Sequence, residues 1–486
     1  MTIDHLEWES LNWPIRVTNL NFVPKLENIP NDTIFEIYRD GDYKLRGVLT
    51  GIREMCSSVE YHRESALNRR ATIYGYNLDG NFKYKINDVV LGNCKTQYSK
   101  QNCKTFEHFT QEVYLNSIEE ISTDLQENHL HEYYLSQRLD LFFPRRTFRK
   151  QTKRYFKIRE DQDETEPNFI DNSYGWSLDY MKIKTKHFDF IIQKEAKYAP
   201  NWADGIIIEY SKEFREIPDK EVRIAVAEIV SFALGTHLLK IGTAELNSEN
   251  FILRRKACSP WGNDVVFKCQ QSATPPIAKF DYQRKEHIEN EISQLVNSYL
   301  SVQRELDLSG ILWRLWISKM TPIGTNLPIL SSALESLASN YLKLNSLKHK
   351  YSRQEKDFIK SIINPIVRIL ETELEGFEFK KRLMNKLKNP YQKGVGETLT
   401  EFLIQIGIHF DSQSIEAKAL QARNKMAHGN VINENSDIKE LIRISRAYES
   451  LFNRALLIVL GYKGSYIDYY SDCFIERGLN SNMSNF

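Results

Sequence analysis

The feature that most constrains the fold of this chain is a change in hydrophobic periodicity at about residue 280. Before that point, short runs rich in Tyr, Phe, Ile and Val dominate, for example at 33–38, 43–50, 180–192 and 205–210, and several of them alternate polar with apolar residues. Turn-forming residues separate these runs, and a period of two predicts β-strands with one buried face. Within this part, a broad apolar face predicts one helix over 220–239.

After the consecutive prolines Pro275 and Pro276, apolar residues recur every three to four positions. Two adjacent prolines disfavour both a helix and a strand ladder, so we interpret 272–277 as a linker. The later spacing predicts a series of helices. We therefore predict an α+β chain, with a β-rich region of one or two subdomains over 1–280 followed by an all-helical bundle over 283–486.

Composition narrows the class of protein. The chain has 486 residues, of which 41% are apolar and 27% charged, with a net charge of +1. This balance argues against a globally basic nucleic-acid coat. No apolar run approaches the ~20 residues of a membrane span, and the acidic N-terminus lacks the apolar stretch of a signal peptide. We expect a cytoplasmic protein without membrane association.

The six cysteines include no Cys-x-x-Cys pair, which indicates reduced thiols. One loose group of candidate zinc ligands consists of Cys94, Cys103, His108, His129 and His131. Only its last two members have the close spacing typical of zinc sites, so the sequence leaves zinc binding at this group open. We expect neither a metal nor a cofactor at the site proposed below.

The most informative candidate for chemistry is the string Arg423-Asn424-x-x-x-His428, followed by Gly429, near the end of a predicted helix. Arginine stays charged and can bind phosphate through two parallel hydrogen bonds, and histidine exchanges a proton near neutral pH. Together they supply charge stabilisation and proton transfer, which are the two needs of metal-free RNA cleavage. Among the 11 histidines, only His428 has an arginine five to seven positions upstream.

Helix geometry limits how these side chains can meet. On a straight helix, Arg423 and His428 point about 140° apart, whereas Asn424 and His428 share a face. One solution is a helix that ends between them, which Gly429 favours as a left-handed cap. The other is a two-fold dimer that brings the motifs of two chains together. In either case Asn424 can orient the His428 ring.

The sequence around Arg423 resembles the signature of HEPN domains, small helical modules that often act as ribonucleases. A long N-terminal region before such a domain resembles the layout of the ApeA-like anti-phage proteins. The resemblance implies an abortive-infection system in which the N-terminal region senses a phage-derived or other trigger. It also implies that the C-terminal domain cleaves cellular RNA, with tRNA as the expected target, and that the chain forms a homodimer or higher homo-oligomer.

The resemblance gives each residue a role. Arg423 would bind the scissile phosphate, His428 would act as general acid or base, and Asn424 would orient the histidine. Glu335, on an earlier helix, would orient Arg423, since HEPN domains often carry an acidic or polar residue there; a solvated surface glutamate is the alternative. The basic residues expected to hold the RNA backbone are Lys380, Lys381, Arg382, Lys386 and Lys425.

Other interpretations of the motif stay open at this point. Arg423 can pair with a carboxylate while His428 caps a helix. The chain can be a non-catalytic HEPN module for RNA binding or dimerisation, which the presence of both residues disfavours. It can also be a toxin controlled by a separate antitoxin, but such toxins typically have a tyrosine where this chain has Asn430. No Gly-x-Ser-x-Gly, Walker loop or His-Glu-x-x-His indicates a hydrolase elsewhere.

Overall fold

The computed structural model describes residues 15–24, 30, 32–40, 43–54, 70–78, 80, 82–101, 104–121, 128–136, 150–152, 155–157, 180–194, 204–247, 252–260, 274–277, 285–345, 353–375, 377, 380, 384, 387, 395–409, 411–427, 437–471 and 473–479. The chain divides into two compact units, Met1–Leu300 and Ser301–Phe486. The observed architecture is mixed, with a large antiparallel sheet in the first unit and most of the helices in the second.

The strands of the first unit are β1 (Ile15–Val23), β2 (Ile34–Arg39), β3 (Leu45–Glu54), β4 (Ala71–Asn77), β5 (Lys83–Gln101), β6 (Lys104–Tyr114), β7 (Ser117–Ile121), β8 (His129–Ser136), β9 (Lys150–Thr152), β10 (Tyr155–Lys157), β11 (Tyr180–Lys184), β12 (Asp189–Lys194), β13 (Asp204–Ser211), β14 (Leu239–Leu246) and β15 (Ile252–Cys258). The predicted strands at 33–38, 43–50 and 205–210 are confirmed by β2, β3 and β13. The predicted run at 180–192 is two strands, β11 and β12, joined by a turn.

Thirteen of these strands form one antiparallel sheet in the order β11-β12-β13-β8-β14-β15-β7-β5-β4-β1-β2-β3-β6. Since β6 also pairs with β5, the last six strands close on themselves. Phe35, Leu49 and Ile73 belong to the buried apolar core of this closed part. Gly47 makes room for the core, because a side chain there would collide with the Phe35 ring.

Helix α1 (Lys220–Leu234) begins at Asp219, whose carboxylate accepts a hydrogen bond from the Val222 amide at 2.9 Å. It ends at Gly235, which has a left-handed φ of 69°. The predicted helix over 220–239 is therefore too long at its C-terminal end. The chain turns at Gly235, the residue type that tolerates this backbone conformation, and then enters β14.

The interpretation of 272–277 as a linker is corrected for 274–277. Pro275 and Pro276 are buried, and the Thr274 amide donates to the Gly235 carbonyl at 3.2 Å. A side chain on Gly235 would collide with Thr274 and Pro275. The proline pair is thus packed on the end of α1, and neither proline brings a backbone N–H that would need a partner there.

Glu132 on β8 ties α1 to the sheet. Its buried carboxylate accepts hydrogen bonds from the Lys240 ammonium, from Arg223 Nε at 3.1 Å and from the Tyr134 hydroxyl at 2.8 Å. Burial alone would raise the pKa of Glu132, but the ion pair with Lys240 and these hydrogen bonds hold that pKa below its ordinary value. Removing one partner from such a buried ion pair is strongly destabilising.

Helix α2 (Lys285–Leu306) covers the edge strand β11. Acceptors four residues apart on the helix meet amides two residues apart on the strand and the following turn: Glu289 with Lys182 (2.8 Å), Ser293 with Lys184 (3.0 Å) and Asn297 with Lys186 (2.9 Å). Four helical residues rise about 6 Å and two strand residues about 6.6 Å, so the two spacings match. The side chains of α2 thereby satisfy amides that an edge strand would otherwise expose.

The second unit contains α3 (Leu308–Met320), α4 (Asn326–Leu344), α5 (Arg353–Glu373), α6 (Val395–Gln405), α7 (Ile415–Ala427), α8 (Ile438–Val459) and the short strands β16 (Ser465–Asp468) and β17 (Ile475–Gly478). Helix α4 contacts α3, α6, α7 and α8. The predicted helical character is confirmed, but the prediction of an all-helical region is wrong because β16 and β17 form a hairpin. Buried Tyr466 and Ile467 give this hairpin its apolar contact with the bundle.

Candidate functional site

Helix α7 carries the Arg-Asn part of the motif. It is capped by Ser414, whose hydroxyl accepts a hydrogen bond from the Ala417 amide at 3.2 Å. Ala417 and Ala419 are buried, and α7 packs against α4 and α8. Small buried residues let a helix approach its neighbours closely, so Ala417 and Ala419 mark the packed face of α7.

Arg423, Asn424 and Lys425 lie on the last two turns of α7, which extends to Ala427. Their side-chain positions lie outside the described part of the structure, and so does His428 altogether. The structure therefore gives the backbone positions of the first three residues. The predicted convergence of Arg423 and His428, and the cap at Gly429, stay predictions.

Glu335 lies half-buried on α4, one of the helices that α7 contacts. Its Oε1 accepts a hydrogen bond from the Ser331 hydroxyl, one turn earlier on the same helix, at 2.6 Å. This bond joins Oε1 to a residue of its own helix. The predicted role of Glu335 in orienting Arg423 stays a prediction.

The structure describes only some of the predicted RNA-binding residues. Lys380 is half-buried, and its ammonium donates to the Glu371 carbonyl in the last turn of α5 at 2.5 Å. A lysine in this position interacts favourably with the free carbonyls at a helix C-terminus. Lys381, Arg382 and Lys386 lie outside the described residues.

A buried carboxylate near the start of α7 was not predicted from the sequence. Glu416 is 3% exposed, and its Oε1 accepts a hydrogen bond from the Tyr470 hydroxyl at 2.7 Å. Within the described residues, its Oε2 has no hydrogen-bond partner. Glu416 and Arg423 are seven residues apart, so they lie on nearly the same helix face, about 10 Å apart along the axis.

The surroundings of Glu416 shift the titration of neighbouring tyrosines. Burial first, and then the Glu416 charge, raise the pKa of Tyr470 well above its ordinary range. Burial raises the pKa of Tyr466 to about 12. Both hydroxyls therefore stay protonated at neutral pH, and that of Tyr470 acts as a donor to the carboxylate.

Asp468 completes this polar region by holding the turn of the C-terminal hairpin. Its fully buried carboxylate accepts hydrogen bonds from the Tyr470 amide (3.0 Å), the Ser471 amide (3.2 Å), the Ser471 hydroxyl (2.7 Å) and Arg477 Nε (2.7 Å). Four donors satisfy one buried charge. The hydrogen bond from Tyr470 to Glu416 therefore attaches the hairpin to the start of α7.

The loose group of possible zinc ligands is spread over several strands. Cys94 is exposed on β5, and His108 on β6 is 2.7 Å from the Ser99 hydroxyl. His129 and His131 are on β8, and Cys103 lies outside the described residues. In the portions of the chain that are described, no three His, Cys, Asp or Glu side chains form a group that could hold a metal ion.

Comparisons of this chain with models of known protein families, with curated proteins and with solved structures find no match. None of the helices in the described ranges is both long and apolar enough to cross a membrane.

Proposed function

We propose that this chain is a metal-independent endoribonuclease of the HEPN type, with Arg423 and His428 as its catalytic pair. The observation that carries the proposal is the Arg423-Asn424-x-x-x-His428 string. Two structural features support it: the string begins on the last two turns of α7, and α7 packs within a mainly helical unit.

The proposed reaction uses the ribose 2′-hydroxyl as an internal nucleophile, which selects RNA over DNA. The 2′-oxygen bonds to phosphorus while the bond from phosphorus to the 5′-oxygen breaks. The 2′-hydroxyl gives up its proton and the departing 5′-oxygen takes one up; His428 transfers one of these protons and solvent water the other, while Arg423 stabilises the negative charge on the non-bridging oxygens. Asn424 fixes the imidazole orientation. On a straight helix, Arg423 and His428 of one chain point apart. A two-fold dimer instead brings the motifs of two chains together.

The biological setting of the proposal is phage defence in the cytoplasm. The first unit senses a phage-derived or other trigger, and the second cleaves cellular RNA, with tRNA as the expected substrate. The size of the β-rich unit supports this division of labour, because far more chain precedes the motif than a linker needs.

Substitution of the motif tests the proposal. Purified Arg423→Ala and His428→Ala should each cleave RNA at least about 100-fold more slowly than the wild type, since each removes a group that acts in the transition state. Asn424→Ala should lose less, because it only orients. Lys418→Ala, at an exposed position of the same helix, is the matched control and should cleave normally. A folded His428→Ala protein with the wild-type rate would refute the site.

A further inference from the structure

Among the described residues, the second half of β5 lies at an edge of the sheet. Beyond Val90, β5 pairs only with β6 within the described part of the chain. An edge exposes backbone hydrogen-bonding groups, and side chains from both faces border it. Lys95, Tyr98 and Lys100 are all exposed along this edge, Tyr98 to 61%.

The charged residues of the segment that forms this edge are all lysines. Between Val89 and Phe106 the chain contains three lysines and no Asp or Glu. In the described part of the chain, neither Lys95 nor Lys100 forms an ion pair. Glu107, the cross-strand partner of Tyr98, is buried and bonded to Arg53 at 2.6 Å, so its charge is already compensated.

We propose that this lysine edge, residues 93–101 of β5, binds single-stranded RNA. Lysine ammonium groups attract backbone phosphates, and an exposed tyrosine offers a ring on which an unpaired base can stack. The cationic charge selects a polyanion. The choice of RNA rests on the proposed ribonuclease function. In that function, the first unit would hold the RNA substrate at this edge.

Lysines on a strand edge also prevent two proteins from pairing edge to edge. Reversing their charge separates the two roles. Glutamate blocks edge pairing as lysine does, but it repels phosphate. A variant with Lys95→Glu and Lys100→Glu should therefore stay monodisperse and lose RNA binding.

The test is fluorescence anisotropy of labelled oligouridylate with the full chain carrying His428→Ala, in EDTA, between about 50 and 200 mM salt. The Lys95→Glu/Lys100→Glu variant should bind at least tenfold more weakly. Its slope of log affinity against log salt should be shallower by about 1.4, the value for two phosphate contacts on a single strand. Tyr98→Ala should bind at least about fivefold more weakly through lost stacking. A matched reversal at exposed positions elsewhere, Lys212→Glu with Lys220→Glu, should change affinity less than twofold.

Three results would overturn the inference. The first is no binding of oligouridylate by the parent protein. The second is equal loss of affinity in the lysine-edge variant and the matched control. The third is tighter binding of a labelled oligoglutamate peptide than of RNA, which would assign the edge to an acidic protein partner. Failure of the proposed function gives a different result. If RNA binds this edge but the wild-type chain does not cleave it, the nuclease proposal is refuted and the binding surface stands.

Discussion

At the scale of single residues, the hydrogen bond from Tyr470 to Glu416 is the contact whose removal is easiest to measure. Tyr470→Phe keeps the ring and removes the donor from a buried carboxylate. Leaving a buried acceptor without its donor costs about 1–3 kcal/mol of unfolding free energy. Urea unfolding measures this loss. Tyr98→Phe, which removes an exposed hydroxyl, is the control and should change stability by less than about 0.5 kcal/mol. Equal effects of the two substitutions would contradict the contact.

His237 gives a prediction about pH. Burial lowers the pKa of this histidine to about 4 from an ordinary value of 6.5. The unfolded chain therefore binds a proton more readily than the folded one between these values, and stability falls as pH falls from 6.5 to 4. The loss from this one group is up to about 3 kcal/mol. His237→Gln cannot titrate, so the difference in unfolding free energy between it and the wild type should change across this pH window. A constant difference would contradict the burial.

The sequence nominates candidate residues that stand close together in the chain and misses those that only the fold brings together. Arg423 and His428 stand within one short string, so a pattern can find them. Glu416 and Tyr470 are 54 positions apart and meet only through the fold. In the sequence, Glu416 looks like any acidic residue in the first turn of a helix, a position that the helix dipole favours for a negative charge.

At the scale of elements, the contact between α2 and β11 makes a specific prediction. Replacing Ser293 and Asn297 together by Ala removes the acceptors of the Lys184 and Lys186 amides. Those two amides should then exchange hydrogen for deuterium faster, while amides in the central strand β8 keep their protection. Unchanged exchange at Lys184 and Lys186 in the folded variant would show that α2 does not protect this edge.

The elements that the sequence predicted well are those with a clear apolar pattern. In β2, Phe35 and Ile37 are buried two residues apart, β13 is a continuous buried run that includes Ile206–Ile208, and α8 repeats its apolar residues over several turns. The closure of the sheet could not be predicted, because β5 is a 19-residue strand that pairs with three partners along its length. Four-residue strands such as β16 are too short to show a period.

At the scale of the whole molecule, the proposal requires that the first unit restrain the second. A nuclease that acts on the host's own RNA must be held inactive until its trigger binds, and the trigger must bind the active state better than the resting one. Expression of residues 283–486, which contain the second unit together with α2, should therefore arrest growth, and His428→Ala should abolish the arrest. The uninduced full chain should be tolerated. A folded isolated region that is harmless and inactive on RNA would show that the N-terminal region is needed for cleavage, and the restraint model would fail.

The central claim is that Arg423 and His428 cleave RNA without a metal, and the chemistry of the product ends tests it most directly. Purified wild-type and His428→Ala proteins are incubated with total RNA in EDTA, and the new ends are mapped. Because the 2′-hydroxyl is the proposed nucleophile, the wild type should leave a 2′,3′-cyclic phosphate or 3′-phosphate and a 5′-hydroxyl, and His428→Ala should leave none. Cleavage that requires added Mg²⁺ or Mn²⁺ and leaves 5′-phosphates would contradict the account.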